Sequence, residues 1–283
     1  MTKGKSINIY LPDGNPKGVK KINITTFPLK AIVVPKNLIN EANGSDELLD
    51  RTGIYFLFSE KEENSLIKTY IGEGNLVSRL KNHYKNKEDW NFAVCFYGDS
   101  EDGLNKVQVG YLEAYSILEA TKLGQTKLQN KKEQVIQPAP DYEEEFILQF
   151  LDEIKFILDL LGYPILSPAK KAETEEEIFF CKSKLADAKG NLTEDGFLVY
   201  EGSRINKENT ASLGAWVLNI KNKLISEGTL KDDGDSMIFT KDFVFNSPSA
   251  AAAVVVGRPA NGWTGWRNKE GKTLDELKRQ EDN

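Results

Sequence analysis

The sequence predicts an α+β protein built in more than one domain, on three observations. Apolar–polar alternations of period two recur between turn-forming Pro, Gly, Asn and Asp residues, which is the pattern of strands and hairpins. Longer stretches carry apolar residues at helical spacing and stop at Gly or at Gly-Tyr-Pro. A Lys-, Glu- and Ala-rich stretch from Ser167 to Glu177 separates two such regions, and 283 residues is long for one core and comfortable for two. The expected organisation is a β-rich N-terminal extension over residues 1–48, a domain over 49–166 that closes on a helix, a linker over 167–178, and a separate α+β accessory domain over 179–283.

In the extension, Ser6 to Leu11 alternates, Pro12-Asp13-Gly14-Asn15-Pro16-Lys17-Gly18 is turn chemistry, and Val19 to Ile24 alternates again, so a β-hairpin is expected. Ala31 to Val34 adds a short strand, and Pro35 opens a helical stretch through Leu38, Ile39 and Ala42. Gly53 to Phe58 and Thr69 to Ile71 are the next strands, separated by a polar turn over Ser59 to Asn64. From Asn75 the pattern turns helical, with Leu76, Leu80 and His83 on one face. Phe92 to Tyr97 is an apolar strand ending in Gly98-Asp99-Ser100, and Val107 to Leu123 is a helix stopped by Gly124. After Pro138-Ala139-Pro140 an amphipathic helix runs from Glu143 towards Leu161. The accessory domain is expected to hold strands near Phe179 to Ala186 and Gly196 to Glu201, with a turn at Gly190-Asn191 between them. A helix near Leu213 to Ser226 and a hairpin around Asp232-Asp233-Gly234 follow. Its final helix has Ser247 as cap, Pro248 at the first position and Gly257 as stop.

The net charge of -6 and a pI near 5.2 argue against a protein that coats nucleic acid non-specifically. The charge is uneven, however. Lys3, Lys5, Lys17, Lys20, Lys21, Lys30 and Lys36 crowd the opening stretch, and Arg79, Lys81, Lys85 and Lys87 cluster later. Acid gathers in Asp141 to Glu145, at Asp152-Glu153 and from Glu173 to Glu177. A basic face with an acidic back suits a polyanion ligand, because only the contacting surface must neutralise phosphates; solvated surface charge explains the same residues. Cys95 and Cys181 form no CxxC pair and are expected as buried thiols. No apolar run suits a signal peptide or a bilayer span, so a soluble cytoplasmic protein without a membrane partner is expected. Gly72-Glu73-Gly74 lacks the third glycine and the βαβ setting of a dinucleotide site.

Gly53-Ile54-Tyr55 and Tyr70-Ile71-Gly72 lie on two adjacent strand candidates. Arg79 follows on the next helix, Glu113 stands beside Leu112 on the later helix, and Asn130 comes after it. In this order these residues resemble the GIY-YIG nuclease family, over roughly residues 50 to 135. The resemblance implies a small antiparallel sheet flanked by helices, Mg²⁺ (or Mn²⁺) as cofactor, and hydrolysis of nucleic-acid phosphodiesters, those of DNA first. It makes Glu113 the metal ligand and Tyr55 the general base or proton relay, and it includes Tyr70, Arg79, His83 and Asn130 in the catalytic set. The stretch from Tyr70 to Arg79 is a residue shorter than in several members of the family, which bears on the orientation of Arg79. The Leu11-Pro12-Asp13-Gly14 turn and the tail from Ser247 to Trp263 are similar to the flanks of a bacterial subfamily, in which a GIY-YIG domain precedes a C-terminal domain of unknown function.

The residue types suit this chemistry. Phosphodiester hydrolysis needs charge on the non-bridging oxygens stabilised, a deprotonated water and help for the departing oxygen. Arg79 offers a permanently charged planar fork, and Glu113 a hard oxygen ligand; one evident carboxylate favours one metal over two. A phenol of pKa about 10 is a poor base at neutral pH, so Tyr55 would need a nearby cation. Plainer readings stand beside these: Tyr55 and Tyr70 as sheet tyrosines, Arg79 and Glu113 as solvated helix residues with Glu119 a competing ligand, and His83 as a packed helix histidine. Lys81, Lys85, Arg258, Asn261 and Trp263 are candidates for nucleic-acid contact, although a folded turn with Trp263 in the core explains the tail equally well. The expectation is a metal-dependent DNA endonuclease whose accessory domain aids substrate selection. The alternative is a catalytically silent nucleic-acid-binding or regulatory module that keeps the fold.

Overall fold

A computed structural model describes residues 4–39, 51–60, 66–86, 89–99, 103–131 and 141–278. Lys3, Ala42, most of the turn after Ser59, Lys87, Ser100 and Pro138-Ala139-Pro140 lie outside the described residues. The chain is mixed α+β and divides into two compact units, Met1–Ser167 and Pro168–Asn283.

The strands described in the first unit are β1 (Ile7–Tyr10), β2 (Lys20–Ile24), β3 (Leu29–Pro35), β4 (Thr52–Phe58), β5 (Lys68–Asn75), β6 (Phe92–Gly98) and β7 (Lys127–Leu128). They form one sheet in the order β1-β2-β3-β6-β4-β5-β7, antiparallel except for the parallel β5–β7 pair. The hairpin pairs Ile7 with Ile24, and β3 pairs along its whole length with β6. Residues 7–35 therefore continue the sheet of the 49–166 region and share its core, where an extension was expected. The reason is legible in β3: the run Ala31-Ile32-Val33-Val34 has no polar face, as a strand covered on both sides requires.

Helix α1 (Leu76–Lys85) lies on one face of the sheet, and α2 (Lys106–Leu123) and α3 (Asp141–Leu160) on the other. The alternation of β4 feeds both layers. Ile54, Phe56 and Phe58 pack with Val109, Leu112, Phe150 and Ile154, whereas Tyr55 and Leu57 pack with Leu76, Val77 and Leu80. Ile147, Phe150, Leu151, Ile154, Ile157 and Leu158 form the buried stripe of α3, each stabilising by about 1.5–3 kcal/mol through burial. Caps set the helix starts: the Asn75 side chain accepts from Ser78 N–H, and Asn105 and Gln108 form a capping box.

The second unit contains β8 (Phe179–Lys182), β9 (Asp187–Thr193), β10 (Gly196–Val199), β11 (Arg204–Asn206), β12 (Leu230–Asp233), β13 (Ser236–Phe239) and β14 (Phe243–Phe245), in the order β12-β13-β11-β9-β10-β14, with β8 on β9. Its helices are α4 (Ala215–Ser226), α5 (Pro248–Val256), α6 (Gly262–Gly265) and α7 (Leu274–Lys278). Every residue of α5 from Ala250 to Val256 is buried, as an all-apolar helix must be. Three sequence expectations change here. Gly190 and Asn191 lie inside β9, and the turn falls at Glu194-Asp195. Gly190 is a glycine because a Cβ there would overlap the Leu198 carbonyl oxygen and come within 2.9 Å of the Phe197 ring. Helix α5 is followed by α6 and α7 and so is not the last. The stretch expected as a linker is docked on the second unit. Ala172 N–H donates to Tyr200 Oη at 3.1 Å, Asn191 Nδ2 donates to the Lys170 carbonyl at 3.2 Å, and Lys171 pairs with Asp242 at 2.8 Å. Composition registered its charge but not its satisfied backbone.

Cys95 and Cys181 are free and buried. No helix among the described residues is long and apolar enough to cross a membrane.

Candidate active site

A cleft of about 670 Å³ opens at the outer edge of β5. Tyr70, Glu73, Arg79, His83, Glu113 and Asn130 line one part of it, and Lys68, Asp89, Trp90, Gln129 and Lys131 another. Five of the six residues singled out as catalytic thus reach one cavity from β5, α1, α2 and the segment after β7. Glu119 is not among the lining residues.

The edge of β5 organises the site, because its main-chain groups are satisfied by side chains from other elements where a neighbouring strand is missing. Gln129 N–H donates to the Thr69 carbonyl at 2.8 Å, extending β7. Two residues on, Asn130 takes over: its Oδ1 accepts from Ile71 N–H at 3.0 Å and its Nδ2 donates to the Ile71 carbonyl at 2.8 Å. Two residues further, the Glu73 carbonyl accepts from Arg79 Nε at 3.0 Å, and the Glu73 N–H acts on the nearby Glu113 carboxyl, tending to lower its pKa. Arg79 comes from α1 and Glu113 from α2, on opposite faces of the sheet; Arg79 is hydrogen-bonded to Glu73, and Glu113 lines the same cleft beside it. Asn130 is accordingly a clamp on β5.

Tyr55 is the exception to the expected lining. It is fully buried behind Tyr70 and His83, and its hydroxyl lies 2.9 Å from His83 Nε2. Tyr55 stands opposite Gly72 across the β4–β5 ladder, and a Cβ on Gly72 would come within 2.5 Å of Tyr55 Cζ and 3.0 Å of Tyr70 Cε1. The glycine of the second tripeptide is what lets the phenol cross the neighbouring strand to reach His83. The Tyr70 and His83 rings are 4.9 Å apart.

Burial, then Tyr70 beside it, pushes the Tyr55 phenol far above the ordinary tyrosine value, and Arg79 offsets only part of this. The cation expected to favour a phenolate is present, but desolvation outweighs it. Burial, then the Glu73 carboxylate, also raises the Glu113 carboxyl, against the opposing effects of Arg79 and the Glu73 N–H. A second carboxylate, Glu73, therefore belongs to the site. Its place directly after Tyr70-Ile71-Gly72 was the only signal in the sequence.

The residues considered for nucleic-acid contact divide. Lys81 and Lys85 are exposed on α1, but Lys81 lies two residues, about 200°, round the helix from both Arg79 and His83, and Lys85 two residues from His83, on the side away from the cleft. In the second unit the Asn261 side chain caps α6, Trp263 packs against the core, and Trp266 is buried with its indole N–H donating to the Pro248 carbonyl at 3.0 Å; Arg258 is exposed. The Asn–Trp cluster is a folded turn. The lysines that do line the cleft, Lys68 and Lys131, stand beside motif residues, two positions before Tyr70 on β5 and directly after Asn130, and no charge pattern singled them out.

The comparisons with known proteins reach only the second unit. Residues 179–278 match a family described as Domain of unknown function (DUF4357). This second unit is similar to that family over most of its length, from β8 to the end of α7. No curated protein matches the chain, and no solved structure matches it.

Proposed function

We propose that the first unit is a metal-dependent endonuclease of GIY-YIG type acting on DNA, with the β5-edge cleft as its active site. The observation that carries this reading is the meeting of Arg79 and Glu113, from helices on opposite faces of the sheet, at the single residue Glu73, with Tyr70 and His83 lining the same cleft.

Mg²⁺ or Mn²⁺ fits the donor set. Glu113 and Glu73 place hard carboxylate oxygens together, and their mutual repulsion is what a divalent cation relieves. Among the described residues there is no group of three or more His, Cys, Asp or Glu side chains that would cage a metal, so water would complete the coordination of Glu113. When bound, the cation supplies Lewis-acid stabilisation of the phosphate and a more acidic water. Arg79, with Nε engaged by the Glu73 carbonyl, keeps its terminal guanidinium nitrogens for the non-bridging oxygens. His83 faces the cleft and is the better general base. In the tautomer that donates Nε2–H to Tyr55 Oη, the contact holds the ring orientation and leaves Nδ1 as the atom that would take the proton of the attacking water. Tyr55 is then a positioning residue, and Tyr70 the phenol that contacts water or phosphate. The second unit is proposed to aid substrate selection.

Plasmid nicking in Mg²⁺ tests the reading. Arg79→Ala and Glu113→Ala are expected to lose cleavage by at least about a hundredfold. Equal nicking by all three proteins removes the proposal, and salt-dependent binding without any cleavage leaves only a binding module.

A further inference from the structure

The cleft runs beside β5 from Glu73 to Lys68, five residues or about 17 Å of extended strand, which is more than one phosphate fills. Arg79 and Glu113 gather at the Glu73 end. At the other end Lys68 stands two residues before Tyr70, so both side chains leave the same face of β5, and both are half-buried where Thr69 and Ile71 are buried. Lys68 Nζ donates to Asp89 Oδ2 at 2.7 Å, and Asp89, from the segment between α1 and β6, lines the same cleft. Both partners are open to solvent, with 34% of the lysine side chain and 72% of the aspartate side chain exposed.

Two ordinary roles do not account for this pair. A lysine on an open sheet edge guards against strand pairing, but β7 already pairs with β5 at Lys68. An exposed ion pair adds little to stability, because water and salt screen it. In a cleft for a polyanion the pair has a plain consequence. The Asp89 carboxylate occupies the place on the Lys68 ammonium that a phosphate oxygen would take, since both are anionic acceptors for the same donor. We propose that Lys68 holds a phosphate of the substrate strand away from the scissile one, and that Asp89 is its internal competitor, displaced when that phosphate arrives. This rests on the nuclease reading and adds a determinant of specificity to it. A strand that lies along the whole cleft gains the Lys68 contact less the ion pair it breaks, and a fragment that ends short of Lys68 gains nothing from it. Until then Asp89 keeps Lys68 neutralised, so the lysine does not draw in polyanions at large, in keeping with a net charge of -6.

The test is binding of a labelled DNA oligonucleotide by the full chain carrying Glu113→Gln, in a cycle of Lys68→Met, Asp89→Asn and the two together. With Asp89 in place, Lys68→Met is expected to weaken binding about threefold, because an ion pair is lost as the phosphate contact forms. On the Asp89→Asn background the same change should weaken it about tenfold and reduce the log–log salt slope by about one. Asp89→Asn therefore tightens binding about threefold more in the protein that keeps Lys68 than in the one carrying Lys68→Met. Charges that act on DNA separately give equal changes on both backgrounds, and that result overturns the proposal. So does a structural ion pair, seen as a lower melting temperature in each single variant with affinity unchanged. A scan of neutral methylphosphonate links along the oligonucleotide should find one position, away from the scissile link, that weakens binding to the Asp89→Asn protein and adds nothing once Lys68→Met is present; the absence of such a position also overturns the subsite. Additive changes count against this inference alone, whereas no binding by the Glu113→Gln protein overturns the nuclease reading with it.

Discussion

At Tyr55, desolvation wins over a neighbouring guanidinium, and the phenol stays protonated well above neutral pH. Its contribution is then the hydrogen bond that orients His83. In single-turnover cleavage, His83→Ala should cost about 10²–10⁴-fold and Tyr55→Phe less, about tenfold to a hundredfold. The double variant should be no slower than His83→Ala alone, because two residues acting through one step are not additive. Multiplicative losses would mean that Tyr55 acts independently of His83. Gly72→Ala tests the packing beneath this pair. The added methyl group displaces the Tyr55 ring, so cleavage should fall at least as far as in Tyr55→Phe, and the melting temperature should drop too. The motif residues were all legible as letters in order. The burial of Tyr55 was not, because a strand tyrosine reads the same whether its hydroxyl meets water or a histidine from a helix 28 residues on.

β5 shows how an element can be finished by groups outside any strand. Its edge continues past β7 through the Asn130 amide, so a side chain of the site also satisfies the sheet. Asn130→Ala should destabilise the first unit by about 1–3 kcal/mol in urea unfolding, since Ile71 loses both partners. Asn130→Asp should not rescue it, because a carboxylate accepts from Ile71 N–H and repels the Ile71 carbonyl. β7 left no trace in the sequence, as two residues carry no period. β9 misled for a different reason: Gly190-Asn191 has turn composition, yet the glycine is required by the close approach of β10. Gly190→Ala should therefore cost about 3 kcal/mol or more and be read as loss of the cooperative unfolding of the second unit.

Each unit carries its own core, and the second buries a lysine that no pattern announced. Lys221 is 2% exposed, and its ammonium donates to the Asn206 carbonyl at 2.7 Å, the Lys207 carbonyl at 3.0 Å and Asn209 Oδ1 at 2.7 Å. Burial lowers its pKa from 10.5 to about 8. Between those values the unfolded chain holds the proton and the folded unit has released it, so this group makes stability rise with pH across that window. Cys181, which burial raises from 9.0 to about 11, acts in the opposite direction above pH 9. The difference in unfolding free energy between the unsubstituted protein and Lys221→Met isolates the lysine, and it should grow from pH 8 to pH 10.5 with a slope of at most one proton. At neutral pH Lys221→Met should be destabilised by about 1–3 kcal/mol, because three oxygens lose their donor.

Local chemistry is short-ranged, and it was readable in the order of residues: alternation marked the edge hairpin, apolar runs marked the central strands β3 and β6, Asn75 and Ser247 marked helix starts, and Gly124 and Gly257 marked stops. The same holds for the succession from Gly53 to Asn130 that suggested a nuclease. Folding in three dimensions settled which of those residues meet. It brought α1 and α2 to one residue of β5, sealed Tyr55 behind His83, bound residues 168–178 to the second unit, and set Asp89 on the Lys68 ammonium. Burial and the satisfaction of polar groups depend on neighbours distant in the chain, and no window of sequence contains both partners.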